Sequence, residues 1–281
     1  VLSYRHGYHA GNFADVLKHS ILLEMLSLIQ NKEKPFVYID THAGAGGYSL
    51  SHEYAQKTKE YETGIKHLLK AERQQPVSIR SYISAVASYA DEEGQGEHYP
   101  GSPWFAINAL RKQDSAFLFE LHKNEFLNLS TRFNSNKRVK LANRNGLEGL
   151  LSIVPPVQRR AVILIDPSYE NKSEYHQLVR TISQAHRKFA TGIYVLWYPV
   201  VDRQMTDSMV SRFRETGIKR QLRIEHCMTA DTKGLGMTGS GLLIVNPPWK
   251  LDETAREIIS HLCSVFGSEP NLSKVRWEVG E

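Results

Sequence analysis

Five apolar runs constrain this chain more than any other feature: "FVYID" (36 to 40), "AFLFE" (116 to 120), "AVILID" (161 to 166), "GIYVLWY" (192 to 198) and "GLLIVN" (241 to 246). Each is apolar on both faces, and helix-length segments separate them. A strand wetted on one face alternates polar and apolar residues, so runs of this kind belong to a buried, largely parallel sheet with helices on each side. The expected class is α/β, a Rossmann-like doubly wound sheet.

Residues 50 to 99 break the rhythm. Two helical patterns, Ile65, Leu68 and Leu69 in one and Ile79, Tyr82, Ile83 and Val86 in the other, lie on either side of Pro76, and "DEEGQGEHYPGSP" closes the segment with turn residues. No strand stands out there, so the expectation is an inserted helical hairpin within one domain spanning 1 to 281. Near the start, "HAGNFADVLKHSILLEMLSLIQ" reads as an amphipathic helix capped by Asn12, with Val16, Leu17, Ile21, Leu22, Met25 and Leu26 turned inward.

Hydrophobic residues make up 41% and charged ones 23% of the 281, ordinary for a globular chain, and no apolar run approaches the ~20 residues of a membrane span. "VLSYRHGYHAGNF" has no apolar signal region, and Cys227 and Cys263 are too few for a disulfide scaffold, so a reducing cytoplasm is expected. The balance of 35 Lys and Arg against 30 Asp and Glu is compatible with a phosphate-bearing partner. Residues 51 to 100 hold 6 basic and 8 acidic side chains, leaving 29 against 22 elsewhere, so any nucleic-acid field comes mainly from outside the insertion.

Ligands of a doubly wound sheet collect beyond the carboxyl ends of its parallel strands. Asp40, Glu120 and Asp166 all stand there. The loop "DTHAGAG" after the first run, with Gly44 and Gly46, lets the backbone turn tightly and approach a ligand closely. It lacks the Gly-Lys-[Ser/Thr] of a nucleotide-triphosphate loop, and an acid closing the glycine strand favours S-adenosylmethionine as cofactor. Asp40 is then expected near the methionyl ammonium and Glu120 on the ribose, whose vicinal hydroxyls two carboxylate oxygens can accept. "DPSYE" suits an exocyclic amine as acceptor of the methyl group. That nitrogen is a poor nucleophile until its N–H groups are held, and Asp166 and the Pro167 carbonyl can hold them while Tyr169 stacks on the flipped base.

"NPPW" (246 to 249) matches the pattern of such amine-methylating motifs, Pro-Pro before an aromatic, more closely than "DPSY" does. In the seven-stranded methyltransferase sheet, however, the last strand runs antiparallel and ends at the wrong edge, which favours Asp166. Three histidines near the start, His6, His9 and His19, lack an acidic or cysteine partner at metal spacing, so no metal is expected. Lys18 and His19 are expected to face the cofactor or RNA phosphates.

In order along the chain, "YRHGYHAGNFADVLKH", "DTHAGAG", "YPGSP", "ELH", "DPSYE", "ATGIYVLWYPV" and "NPPW" resemble the RlmJ family. That resemblance implies a bacterial adenine-N6 methyltransferase acting on 23S ribosomal RNA; an older label for the family concerns use of external DNA. It further implies cofactor contacts from Lys18, His19, His42, Ser102, Glu120, Asn145 and Gly146, with Asp166 catalytic. On the substrate side the expected contacts are Tyr4 near the entrance, Arg5, Lys18 and Tyr169. Two positions depart from the family pattern: Asn145 stands where Asp is usual, and Ser168 replaces a second proline. A monomer with no metal and no membrane association is expected. A DNA adenine methyltransferase, or a nucleic-acid-binding protein without enzymatic activity, remains the alternative at this stage.

Overall fold

The computed structural model describes residues 5–94, 96–171, 174–231 and 236–280. Its strands are β1 (Val37–Asp40), β2 (Gly47–Ser49), β3 (His98–Pro100), β4 (Ser115–Phe119), β5 (Val139–Ala142), β6 (Ala161–Ile165), β7 (Ile193–Val200), β8 (Gln221–Cys227), β9 (Gly239–Val245) and β10 (Lys274–Val279). The helices are α1 (Phe13–Gln30), α2 (Glu53–Thr58), α3 (Glu60–Thr63), α4 (Ile65–Leu69), α5 (Val77–Glu93), α6 (Ser102–Ala109), α7 (Lys123–Phe133), α8 (Gly146–Ile153), α9 (Glu174–Lys188), α10 (Arg203–Glu215) and α11 (Leu251–Phe266).

Eight strands form one sheet in the order β10-β8-β9-β7-β6-β1-β4-β5, while β2 and β3 pair as a separate antiparallel ribbon. From β5 to β7 all neighbours are parallel, and β9 is antiparallel to both β7 and β8. The five apolar runs are β1, β4, β6, β7 and β9. The sheet has one strand more than the expected seven, because β10 adds antiparallel to β8 at the edge.

Alternation along the strands divides the core. Tyr38, Val162, Leu164 and Val195 face α1, α5, α6 and α11, whereas Ile39, Ile163, Ile165 and Leu196 face α8, α9 and α10. The strands β1, β6, β7, β8 and β9 bury both faces, as helix-covered sheets require. Asn12 caps α1, its side chain accepting from Asp15 N, and all six residues expected inward are buried. So are Asp15, Lys18 and His19, which turn the helix's second buried face toward the carboxyl edge of the sheet.

The inserted segment differs from a helical hairpin. It contains α2, α3, α4 and α5, and the ribbon strand β3 begins within its expected range. Lys59, at φ 54, breaks the chain between α2 and α3 in a way no apolar pattern announces. Tyr61, Ile65, Leu68, Ile79, Tyr82 and Tyr89 join the same apolar cluster as Leu17 and Ile21 of α1, so the insertion shares the core of the sheet domain.

Candidate active site

Register alone gathers the strand-end acids. Asp40 lies opposite Leu118 of β4 and Leu164 of β6, so Glu120 and Asp166, each two residues further on, emerge side by side beyond the same edge. Asn145 follows β5 and caps α8, its Oδ1 accepting from Leu147 N at 2.9 Å and Glu148 N at 3.2 Å. With the oxygen used in the cap, the Nδ2 group carries the N–H donors left for a ligand. Gly146 next to it is required: a Cβ there would stand 1.9 Å from the Thr41 carbonyl oxygen.

These ends enclose a cavity of about 200 Å³ whose walls include His19, His42, Gly44, Ser102, Glu120 and Asn145. Glu120 is fixed from two sides. Gly44 N donates to Oε2 at 2.8 Å and His122 N to Oε1 at 2.6 Å, while burial pushes its carboxyl pKa up against those two bonds. His42 Nδ1 lies 2.8 Å from the Thr41 hydroxyl, which itself donates to the Leu164 carbonyl. Burial lowers the His42 pKa to about 4, so the ring is neutral at pH 7. His19 is neutral for the same reason; its Nδ1 meets Tyr99 Oη at 2.7 Å, and its buried Nε2 has no protein partner.

Two expected cofactor residues do not reach this cavity. Asp40 is fully buried beneath it, with Oδ2 accepting from Tyr38 Oη at 2.6 Å and Ser102 Oγ at 2.7 Å, and Oδ1 accepting from His42 N at 3.1 Å. Burial raises its pKa against those bonds. Its place is to hold Ser102 and His42, which do line the wall. Gly46 faces α7, where a Cβ would come 2.6 Å from the Phe133 ring; it lets helix and loop meet. Tyr4 lies outside the described residues.

A second, larger cavity of about 1170 Å³ adjoins the first, and the two share His6, Lys18, Asp166 and Ser168. Tyr169 lines the larger one at φ 54, its hydroxyl donating to the Trp197 carbonyl at 2.6 Å and its ring 4.6 Å from Tyr175. Pro167 lines the smaller. Arg5 also lines the smaller cavity and donates to Tyr54 Oη at 2.9 Å. Lys18 is bound by two carboxylates, Asp166 Oδ2 at 2.6 Å and Asp15 Oδ1 at 2.9 Å. Burial works against its charge, but Asp15 and Asp166 outweigh burial and raise its pKa. His6 Nε2 meets Asp15 Oδ2 at 2.9 Å, extending the chain of contacts.

The wall also holds His6, Thr41, Tyr48, His122 and Glu125, which sequence reasoning did not place there. His6 was visible as a possible metal ligand and, like His122, as part of a quoted motif to which no role was given; Glu125 carried no signal beyond nearness to Glu120. Among the described residues no group of three or more His, Cys, Asp or Glu side chains is placed to hold a metal ion, and no helix is long and apolar enough to cross a membrane. "NPPW" lies at the opposite edge. Val245 pairs with Tyr194 at the start of β7, so Asn246 leaves the sheet where the parallel strands begin, donating to the carbonyls of Ala190 at 2.8 Å and Gly192 at 2.9 Å.

A five-strand parallel core followed by an antiparallel β9 inserted between β7 and β8, with acids ending its first, second and fourth strands, defines a class I methyltransferase. The chain belongs to the family described as Ribosomal RNA large subunit methyltransferase D, RlmJ, whose model matches residues 33–279. It is 43% identical over 282 residues to Ribosomal RNA large subunit methyltransferase J of Escherichia coli strain K12, covering 100% of both chains. To the protein of the same name in Haemophilus influenzae it is 40% identical over 278 residues, covering 99% of each. A crystal structure of a Legionella pneumophila protein superposes with TM-score 0.86 at 38% identity, over 97% of this chain and 99% of that one. A probable spermidine synthase from Corynebacterium glutamicum shares the fold alone, at TM-score 0.55 and 12% identity over 98% of this chain and 78% of its own.

Proposed function

We propose that this chain transfers a methyl group from S-adenosylmethionine to the N6 amino group of an adenine in 23S ribosomal RNA, acting as a monomer in the cytoplasm. The observation that carries the reading is the position of Asp166 on the wall common to the two cavities, where a donor in one and a base in the other would meet. The names of its relatives support ribosomal RNA as substrate.

The smaller cavity suits S-adenosylmethionine: a carboxylate at Glu120 for ribose hydroxyls, an amide N–H at Asn145 for an adenine acceptor, and a buried, unpartnered Nε2 at His19. When bound, that cofactor supplies a methyl group activated on sulfonium. The protein's part is to prepare the amine. Asp166 Oδ1 and the Pro167 carbonyl accept its N–H groups, localising the lone pair on nitrogen. Lys18, held by Asp15, fixes the other oxygen of Asp166, so the carboxylate waits in one orientation. Tyr169 is held by its hydroxyl and offers a ring to the base. Neither polar departure blocks this assignment, since Asn145 makes the helix cap and Ser168 forms wall.

The test is transfer of labelled methyl groups to protein-free 23S transcript, followed by nuclease digestion and mass spectrometry. N6-methyladenosine is expected. Label entering duplex DNA in preference to RNA, or another methylated nucleoside, would refute the assignment.

A further inference from the structure

The motif "NPPW" takes no part in the site described above, yet it is built to be seen. Asn246, at φ 54, is anchored to the carbonyls of Ala190 and Gly192; Pro247 and Pro248 stiffen the turn; and Arg220 donates to the Pro247 carbonyl at 3.4 Å. At its tip Trp249 is 80% exposed, the most exposed aromatic side chain among the large hydrophobic residues at the described surface.

The same contacts bring three segments together: 187–192, which is the end of α9 with its connection to β7, 216–220 between α10 and β8, and 246–250 after β9. Their sixteen residues include Arg187, Lys188, Lys219, Arg220 and Lys250 and not one acid. The acids that follow, Asp252 and Glu253, belong to the first turn of α11, and Asp252 is held by Arg256 at 3.0 Å.

We infer that this face binds single-stranded or looped ribosomal RNA, with Trp249 stacking on an unpaired base and the surrounding cations on phosphates. A flat exposed ring amid cations is the composition that such strands select. Asp166 is level with Trp197 and Asn246 with Ile193, so the turn leaves the sheet about 13 Å from the reaction edge, at ~3.3 Å per residue, and would engage the RNA beyond the target nucleotide. The inference rests on the proposed ribosomal RNA substrate and adds to it a second anchor.

Two variants test it, Trp249→Ala and the double change Arg187→Ala with Lys219→Ala, all exposed positions remote from the site. The probe is a labelled 25-nucleotide oligouridylate, which has no adenine to enter the active site, compared with 23S transcript. Trp249→Ala is expected to weaken oligouridylate binding about five- to a hundredfold, the usual loss for one stacked base. The double variant should make the slope of log K against log salt shallower by about 1.4, from two lost phosphate contacts at ~0.7 each. Both should raise KM for 23S transcript while leaving cofactor affinity and kcat at saturating RNA as in the wild type. Unchanged affinity and slope in both variants would overturn the inference. So would normal binding to bare RNA with loss of binding to ribosome-assembly particles, which would assign the face to a protein. Absence of methyl transfer by the wild-type chain, with oligouridylate binding still dependent on Trp249, would instead refute the proposed reaction and leave this face standing.

Discussion

Replacing Asp166 with asparagine separates charge from shape at the proposed reaction centre. The wild-type carboxylate has two tasks: Oδ2 receives Lys18 Nζ at 2.6 Å, and Oδ1 is left for the target amine. Asparagine keeps one oxygen. The buried ammonium of Lys18 has only donors, so it will claim that oxygen and turn the new NH2 group toward the adenine amine. Two donors then face each other where an acceptor is needed. A hydrogen bond to a charged group contributes about 1.5 to 3 kcal/mol, and the donor clash adds to its loss, so kcat/KM should fall by at least about tenfold and by about 10² at the upper figure. Asp166→Asn should therefore be no more active than Asp166→Ala. Stability should rank the other way. Alanine leaves Lys18, 4% exposed in its side chain, with Asp15 alone, at a cost of about 1 to 3 kcal/mol for the donor left unmet, whereas asparagine retains a neutral acceptor. Single-turnover transfer to 23S transcript under saturating cofactor, with thermal melts of both variants, measures the two rankings. An Asp166→Asn enzyme keeping more than a tenth of wild-type turnover would refute the assignment of Oδ1 to the amine.

Gly146→Ala should destabilise the fold by about 1 to 3 kcal/mol and weaken S-adenosylmethionine binding at least tenfold, because a Cβ 1.9 Å from the Thr41 carbonyl forces α8 and the first loop apart; wild-type affinity in calorimetry would remove that contact from the site. Glu120→Gln sets an amide NH2 against the N–H of either Gly44 or His122 and should weaken cofactor binding by about 1 to 3 kcal/mol, with unchanged affinity counting against a ribose role. His226 is fully buried, and burial depresses its pKa from 6.5 to about 4. The folded state then holds the neutral ring, so stability is complete above pH ~6.5 and is lost as pH falls toward 4; its share is about 2 kcal/mol between pH 7.5 and pH 5. His226→Gln should recover that share in urea titrations at the two pH values, even though His19 and His42 shift in the same direction, and an identical acid loss in the variant would show that this ring titrates freely.

What the sequence made legible follows from where burial leaves a pattern. The five central strands bury both faces and carry few charges, so they stand out as apolar runs. β8 is just as buried, yet its residues include Arg223, Glu225 and His226. Arg223 Nε meets Glu225 Oε1 at 2.8 Å, and Arg203 and Asp207 come from α10 to complete the network. Its charges are satisfied by tertiary partners that no local window contains, and it reads as a wetted strand or a loop. β5, with Lys140 exposed, and β10, with Arg276 and Trp277 exposed, fail for a simpler reason: each is an edge strand whose side chains meet water.

The site divides along the same line. Strand ends located Asp40, Glu120 and Asp166 because parallel register brings successive ends to one edge, a property of topology that apolar spacing already implies. Whether an acid faces the cavity or lies beneath it depends on who takes its oxygens. For Asp40 the takers are Tyr38, two residues back on the same face of β1, and Ser102, sixty-two residues on across the insertion. The first could be anticipated from alternation; the second required the fold. The choice between "DPSY" and "NPPW" shows the converse. By residue type the second is the better match, but one antiparallel pairing, Tyr194 with Val245, reverses β9 and carries Asn246 to the far edge. Motif chemistry is therefore decided by strand direction before side-chain identity, and a turn excluded from one edge is free to meet RNA at the other.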